Sequence, residues 1–133
     1  MSFAIGISGA TGVTGEVTLR ILEERSFPVR DLRLFASRRS AGQRISWKGR
    51  DYTVEALDDG RFDGLDLVIS ATSASIACDW APRMVESGAV VIDQSSAFRL
   101  DPTVPLVVPE INRGDGKPIS VQASLGIMAS NSL

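Results

Sequence analysis

The chain has 133 residues, of which 44% are hydrophobic and 23% are charged, and its formal net charge is −2. This size and composition predict a single globular domain, and no apolar run reaches the ~20 residues that span a bilayer. The slight acidity argues against general affinity for polyanions. The absence of a basic segment before the first apolar residues argues against a signal peptide, so we expect a cytoplasmic protein.

Two residue types limit the chemistry further. The single cysteine, Cys78, cannot form an internal disulfide, and the chain has no histidine. The usual zinc sites therefore cannot be assembled, and we expect no metal ion.

Strands and helices alternate along the predicted elements. Apolar runs bounded by glycine or proline indicate strands, whereas Val17, Ile21 and Leu22 stand at helical spacing. The elements predicted in chain order are a strand (3–8), a helix (14–25), a strand (31–37), a hairpin around Lys48 and Gly49 (44–57), a strand (65–72), a helix (74–87) and a strand (89–95).

This order predicts a Rossmann-like, doubly wound α/β fold with a mostly parallel sheet covered on both faces, in one domain over residues 1–133. From Leu100 onwards prolines interrupt short extended pieces, and no helix follows the last predicted strand. We therefore expect the fold to be incomplete at its C-terminal side. An apolar sheet face left uncovered predicts self-association or a partner that covers it.

The segment GATGVTG places Gly9, Gly12 and Gly15 between the first strand and the first helix. Glycine there allows a sharp turn, a close approach of a pyrophosphate to the main chain and close helix packing, while the helix N-terminus offers unpaired N–H groups. In this context the pattern predicts a dinucleotide site. The chain has no G-x-x-x-x-G-K-[ST] string, which argues against a Walker loop.

The second strand is followed by ASRRSAG, at the position that selects the cofactor in dinucleotide-binding folds. An acid there pairs with the ribose hydroxyls of NAD, whereas Ser37, Arg39 and Ser40 can donate hydrogen bonds to a 2′-phosphate. The sequence therefore predicts NADP(H).

Two alternatives stay open for this basic region, since residues 30–50 hold seven of the fourteen basic residues. In the first, Arg38 and Arg39 belong to a solvated turn. In the second, Trp47 stacks on a nucleic acid whose phosphates contact the surrounding cations. The single aromatic residue in this alternative and the overall acidity of the chain argue against a nucleic acid as partner, and the lack of a long apolar run argues against a membrane.

A second anion site is predicted around Ser95, Ser96 and Arg99, at the C-terminal end of the last predicted strand, where open α/β sheets bind their ligands. A serine-rich turn with a surface arginine is the alternative.

The segments GATGVTG, FASRRSAG, VIDQSSAFRLDP and PLVVPEIN, in this order and spacing, resemble the N-terminal NADP-binding part of aspartate-semialdehyde dehydrogenase. The resemblance covers nearly the whole chain. It implies NADPH-dependent reduction of L-aspartyl-4-phosphate to aspartate semialdehyde and phosphate, in lysine, methionine and threonine biosynthesis, by an enzyme that is usually a homodimer. Val13 and SSAFR favour this family over the sister reductase that acts on N-acetylglutamyl phosphate.

The resemblance also implies roles for residues at matching positions. Those implied to bind the cofactor are Gly9, Thr11, Gly12, Val13 and Gly15 at the pyrophosphate, Ser37, Arg39 and Ser40 at the 2′-phosphate, and Thr72 and Ser73 near the nicotinamide. The resemblance implies that Arg99 binds the substrate phosphoryl group, with Asn112 close by, and Ser95 and Ser96 of the second anion site are assigned to the same group.

The catalytic cysteine of the family has no counterpart at the matching position. Where the resemblance implies proline, asparagine and the cysteine that attacks the acyl phosphate, the chain has Ser130, Asn131 and Ser132. Cys78 is expected to be a small buried residue of the second helix, and Ser132 lacks an adjacent base to activate its hydroxyl. We therefore assign no catalytic residue.

We expect the catalytic and dimerisation domain of the family to be absent from these residues and the chain alone to be inactive. Two other functions stay open: a non-catalytic NADP(H)-binding or interaction protein derived from this fold, and a scaffold in which cofactor binding is lost.

Overall fold

A computed structural model describes residues 1–104, 106–107 and 127–130 of the chain. Within these ranges it contains two α-helices, α1 (Val13–Glu24) and α2 (Ala74–Glu86), and a 3₁₀ turn at Leu57–Asp59. The strands in the same ranges are β1 (Phe3–Ser8), β2 (Val29–Ala36), β3 (Arg44–Trp47), β4 (Arg50–Thr53), β5 (Glu55–Ala56), β6 (Leu67–Ser70), β7 (Val90–Asp93), β8 (Leu106–Val107) and β9 (Ile127–Ser130).

Seven of these strands form one sheet in the order β5-β2-β1-β6-β7-β9-β8, and every neighbouring pair is parallel. The chain crosses from β2 on one side of β1 to β6 on its other side, which creates the switch point where open α/β sheets bind ligands. The Rossmann-like fold expected from the sequence is confirmed.

One face of the sheet packs against α1 and the antiparallel hairpin of β3 and β4. Ile5 and Ile7 of β1 are fully buried there, together with Leu19 of α1. The indole Nε1 of Trp47 donates a hydrogen bond of 2.8 Å to the carbonyl of Leu19, which joins the hairpin to the helix. Because Trp47 is only 6% exposed, the alternative in which it stacks on a nucleic acid is wrong.

The opposite face packs against α2. Ala77, Ala81 and Met84 of the helix are almost fully buried. Ala81 and Met84 lie in one cluster with side chains of β2, β6 and β7. These positions follow the helical spacing i, i+4 and i+7 that aligns side chains on one face of a helix. No helix in the described ranges is long and apolar enough to cross a membrane.

Two residues of the helices, Ile21 and Cys78, face solvent. Ile21 is 41% exposed, because the buried face of α1 is formed by Gly15, Thr18, Leu19 and Leu22. Cys78 was expected to be buried but is exposed, because it lies one residue, or about 100° of helical rotation, beyond Ala77. A cysteine on this face of α2 has no packing role in the core.

Edge strand β5 is fixed to β2 by an ion pair. Arg33 donates from Nε to Glu55 Oε2 at 2.9 Å and from Nη2 to Glu55 Oε1 at 2.7 Å. This bidentate hydrogen bond raises the pKa of Arg33. Because β5 leads directly into the turn at Leu57–Asp59, the pair also fixes that turn beside the end of β2.

Candidate functional site

A cleft of about 330 Å³ opens at the C-terminal ends of β1, β2 and β6. It is lined by the glycine turn after β1, the loop after β2, the turn after β5 and the first part of α2. The lining residues are Gly9, Thr11, Gly12, Ala36, Ser37, Arg38, Leu57, Asp58, Ala71, Thr72, Ile76 and Trp80.

The cleft brings together half of the residues predicted to bind the cofactor. Those that line it are Gly9, Thr11, Gly12, Ser37 and Thr72, whereas Val13, Gly15, Arg39, Ser40 and Ser73 do not. The sequence analysis missed the three large apolar residues of the wall, Leu57, Ile76 and Trp80. They come from two elements distant in sequence, so no local pattern could indicate that they meet.

Gly9 and Gly15 are required by the packing of the turn. Gly9 has a φ of +82°, and a Cβ at this position would collide with the carbonyl oxygen of Ala71. A Cβ at Gly15 would collide with the carbonyl oxygen of Gly9 and approach Ala10 Cα to 2.8 Å. These two glycines allow α1 to start directly against the end of β1.

Gly12 differs from its neighbours in the turn. Its backbone is extended, with φ −85° and ψ 173°, and the nearest atom to an added Cβ would be the Gly9 carbonyl oxygen at 3.5 Å, an ordinary contact. Packing within the described chain therefore gives no reason for glycine at this position. A ligand that approaches the backbone closely gives one.

The N-terminus of α1 points into the same region. Gly12 is its N-cap, and no side chain caps the helix. The N–H groups of the first helical turn have no partners within a helix, and the helix dipole makes this end electropositive. Val13, the first residue of the helix, is 81% exposed and does not line the cleft.

The two arginines after β2 have different surroundings. Arg38 lines the cleft and donates from Nη2 to Asp59 Oδ1 at 2.8 Å, and its Nε lies 3.6 Å from Asp58 Oδ2. The hydrogen bond and charge of Asp59, with the charge of Asp58, raise the pKa of Arg38. Arg39 is exposed, and no ion pair joins it to any residue in the described ranges. Ser40 closes the loop through its N–H, which donates to the Ser37 carbonyl at 2.9 Å.

The nicotinamide positions implied by the resemblance follow β6. The hydroxyl of Thr72 lies 3.3 Å from the hydroxyl of Ser70, which is buried at the end of that strand. Ser73 is the N-cap of α2, with its hydroxyl 3.3 Å from that of Ser75.

The predicted second anion site lies at the end of β7. The buried carboxylate of Asp93 accepts hydrogen bonds from the Ser95 hydroxyl at 2.7 Å and from the Ser95 N–H at 3.2 Å. The same hydroxyl accepts from the Ala97 N–H at 3.1 Å, and Arg99 Nη2 donates to the Gln94 carbonyl at 3.1 Å.

The side chains of Ser95 and Arg99 therefore make hydrogen bonds within the loop that follows β7. Ser96 is exposed. Asn112, the fourth residue predicted for this site, lies outside the described residues, as do Asn131 and Ser132. In the described ranges no three His, Cys, Asp or Glu side chains are grouped as metal ligands.

Comparisons with known proteins agree with this architecture. A family model described as "Semialdehyde dehydrogenase, NAD binding domain" matches residues 4–118. Aspartate-semialdehyde dehydrogenase of Aquifex aeolicus is 48% identical over 118 residues, which are 88% of this chain and 35% of the relative. The corresponding protein of Prochlorococcus marinus is 43% identical over 126 residues, which are 95% of this chain and 35% of the relative.

Solved structures show the same relation. The crystal structure of aspartate semialdehyde dehydrogenase II from Vibrio cholerae complexed with ASA has a TM-score of 0.89 at 35% identity, with 98% of this chain and 42% of that chain covered. The enzyme from Candida albicans with NADP has a TM-score of 0.66 at 28% identity, with 82% of this chain and 34% of that chain covered. The chain thus spans about a third of the length of the curated relatives, 35% in two cases.

Proposed function

Because this chain belongs to the aspartate-semialdehyde dehydrogenase family, as the NAD-binding domain of that family, we propose that its cleft binds a nicotinamide dinucleotide and prefers NADP(H). The observation that carries the proposal is Gly12. Its missing side chain leaves the N-terminus of α1 open to a ligand, although packing in the described chain does not require glycine there.

The proposed orientation follows the chemistry of the cleft. The pyrophosphate lies against Gly12 and the unpaired N–H groups of the first turn of α1. The adenine ring lies against Leu57, Ile76 and Trp80, whose apolar surfaces suit a flat aromatic ligand. The nicotinamide extends towards Thr72 and Ser73, beyond the end of β6. The bound cofactor supplies a hydride.

The preference for NADP(H) is assigned to the loop after β2. Ser37 lines the cleft, and Arg39 carries a charge that no carboxylate in the described ranges neutralises. A guanidinium and two hydroxyls, from Ser37 and Ser40, form a donor set that matches a 2′-phosphate. Arg39 lies outside the cleft lining, so the proposal requires its long side chain to turn towards the bound phosphate.

We further propose that the whole protein of which this domain is part reduces L-aspartyl-4-phosphate, with Ser95, Ser96, Arg99 and Asn112 at the phosphoryl group. The 133 residues alone bind the cofactor without turnover, because their single cysteine, Cys78, is exposed on α2 and does not line the cleft. We also propose that the whole protein is a homo-oligomer and lies in the cytoplasm.

Calorimetric titration of the purified chain with NADPH and NADH tests the binding. A charge-assisted contact of about 1.5–3 kcal/mol to the 2′-phosphate gives a preference of about 10- to 150-fold for NADPH. Arg39→Met should remove most of this preference, whereas Arg25→Met, at an exposed arginine next to the far end of α1, should leave it unchanged. Equal affinities for the two nucleotides would contradict the NADP(H) preference alone, and no binding of either would contradict the proposed function.

A further inference from the structure

The turn at Leu57–Asp59, called here the acidic turn, stands directly beside the loop expected to hold the 2′-phosphate. β5 pairs with β2 in a register that sets Ala56 opposite Ala36. The residues that follow these two strands therefore lie side by side at the same edge of the sheet. There Asp58 and Asp59 form ion pairs with Arg38. Both Arg38 and Asp58 line the cleft, so this ion-paired cluster forms part of its wall.

The cluster has a net charge of −1, because one guanidinium faces two carboxylates. The Nη2 group of Arg38 is used by Asp59 at 2.8 Å, and its Nε lies 3.6 Å from Asp58. Arg38 is thus held by carboxylates, whereas the neighbouring Arg39 has no ion pair in the part of the chain that the structure describes. An anionic ligand must therefore compete with two carboxylates for Arg38 but with none for Arg39 in the described ranges.

The position of Asp58 has a second consequence. In dinucleotide-binding folds an acid at the end of the second strand accepts hydrogen bonds from the ribose hydroxyls and repels a 2′-phosphate. Here the second strand ends without an acid, but the strand paired with it supplies one at the same edge of the sheet. Asp58 therefore places a carboxylate on the wall of the same cleft that Ser37 lines, from a different element.

We propose that the acidic turn is a determinant of cofactor selectivity that lowers the preference of this chain for NADPH over NADH. It acts by holding Arg38 away from the 2′-phosphate and by setting the Asp58 carboxylate beside the adenosine ribose. The inference rests on the proposed function of the cleft. It assigns opposite effects to two elements at one end of the site, since Arg39 favours the phosphate and the acidic turn disfavours it.

The expected size of the effect is modest, because all three side chains of the cluster are at least half exposed to solvent. Exposed ion pairs are weak and are screened by salt. Removal of both carboxylates should therefore raise the ratio of NADPH to NADH affinity by about 3- to 10-fold at low ionic strength, and by less as salt is added.

The experiment compares the native chain with the double variant Asp58→Asn/Asp59→Asn by calorimetric titration with NADPH and with NADH. The amides keep the shape of the side chains, and thermal unfolding followed by circular dichroism checks that the variant is folded. The matched control is Asp51→Asn/Asp79→Asn, which removes the same two charges from exposed positions that do not line the cleft. The control should leave the affinity ratio unchanged.

A further variant separates the two causes. In an Arg38→Met background the same double substitution should give a smaller rise, because only the repulsion by Asp58 is left to remove. A ratio that rises no more than in the control, or that falls, overturns the inference while the proposed function stands. A native chain that binds neither nucleotide overturns the proposed function and the inference together.

Discussion

Single atoms decide what the glycine turn can bind. Two of its glycines are needed for the chain to fold, since a Cβ at Gly9 or Gly15 would meet backbone oxygen atoms that have no room to move. A Cβ at Gly12 would make only an ordinary contact with the chain, so its absence matters only to a ligand that approaches from the cleft. Stability and binding can therefore be separated at this residue.

Gly12→Ser should weaken dinucleotide binding without lowering stability. Serine is a better N-cap than glycine, so thermal unfolding should show a stability equal to that of the native chain or higher by a few tenths of a kcal/mol. The added side chain occupies the space proposed for the pyrophosphate and should weaken NADPH binding by about 10-fold or more, or about 1.4 kcal/mol.

Gly15→Ser serves as the control for this substitution, because the same side chain there collides with the Gly9 carbonyl and should lower stability by about 1–3 kcal/mol. A Gly12→Ser chain that binds NADPH as tightly as the native chain would contradict the proposed position of the pyrophosphate.

At the scale of elements, α2 contains a residue that opposes its helical structure. Pro82 is exposed and lies in the interior of the helix, where it has no N–H to donate to the carbonyl of Cys78 and its ring crowds that carbonyl. The helix forms because its apolar face, Ala77, Ala81 and Met84, is buried against the sheet. Tertiary packing outweighs local propensity here.

Pro82→Ala should stabilise the chain. The restored hydrogen bond exceeds the entropy that proline removes from the unfolded chain, so the free energy of unfolding should rise by about 1–3 kcal/mol. Thermal unfolding should show a midpoint higher by about 3–10 °C. Ala74→Pro is a control, since proline is tolerated in the first turn of a helix and should cost much less than an interior proline. A lower midpoint for Pro82→Ala would show that the proline fits the helix without strain.

The elements that sequence reasoning found share a strong local signal. The strand at Phe3–Ser8 and the two helices have clear periodicity or glycine boundaries, and the hairpin has a turn at Lys48 and Gly49. Strand β5 has only two residues and exists because it pairs with β2, which is a contact that local patterns do not encode. The acidic turn was missed for the same reason.

In the candidate site, too, the continuous segments were predictable and the parts formed by tertiary contacts were not. The glycine turn and the loop after β2 are continuous segments with a recognisable sequence pattern, whereas the apolar wall of Leu57, Ile76 and Trp80 depends on tertiary packing. Burial on a helix was also uncertain by one position, as Ile21 and Cys78 show, because a shift of one residue turns a side chain by about 100°.

At the scale of the whole molecule, the two sheet faces differ in how completely they are covered. The face against α2 buries Val68 and Val91 fully. On the opposite face Ile5 and Ile7 of β1 are fully buried beneath α1. The apolar residues on the same face of the next two strands, β6 and β7, are partly exposed. These partly exposed residues are Leu67 and Ile69 of β6 and Val90 and Ile92 of β7, which are neighbours in the sheet.

This partly exposed apolar patch predicts that the chain self-associates, because contiguous apolar surface on a sheet favours contact with another copy. Light scattering should give an average mass that rises with concentration above the 14.2 kDa of one chain. Ile92→Gln should weaken the association, since it places an amide in the middle of the patch. Ile21→Gln, a change of the same size at an exposed position on α1, should leave the association unchanged. A constant mass of one chain over the whole concentration range would show that the patch does not drive association.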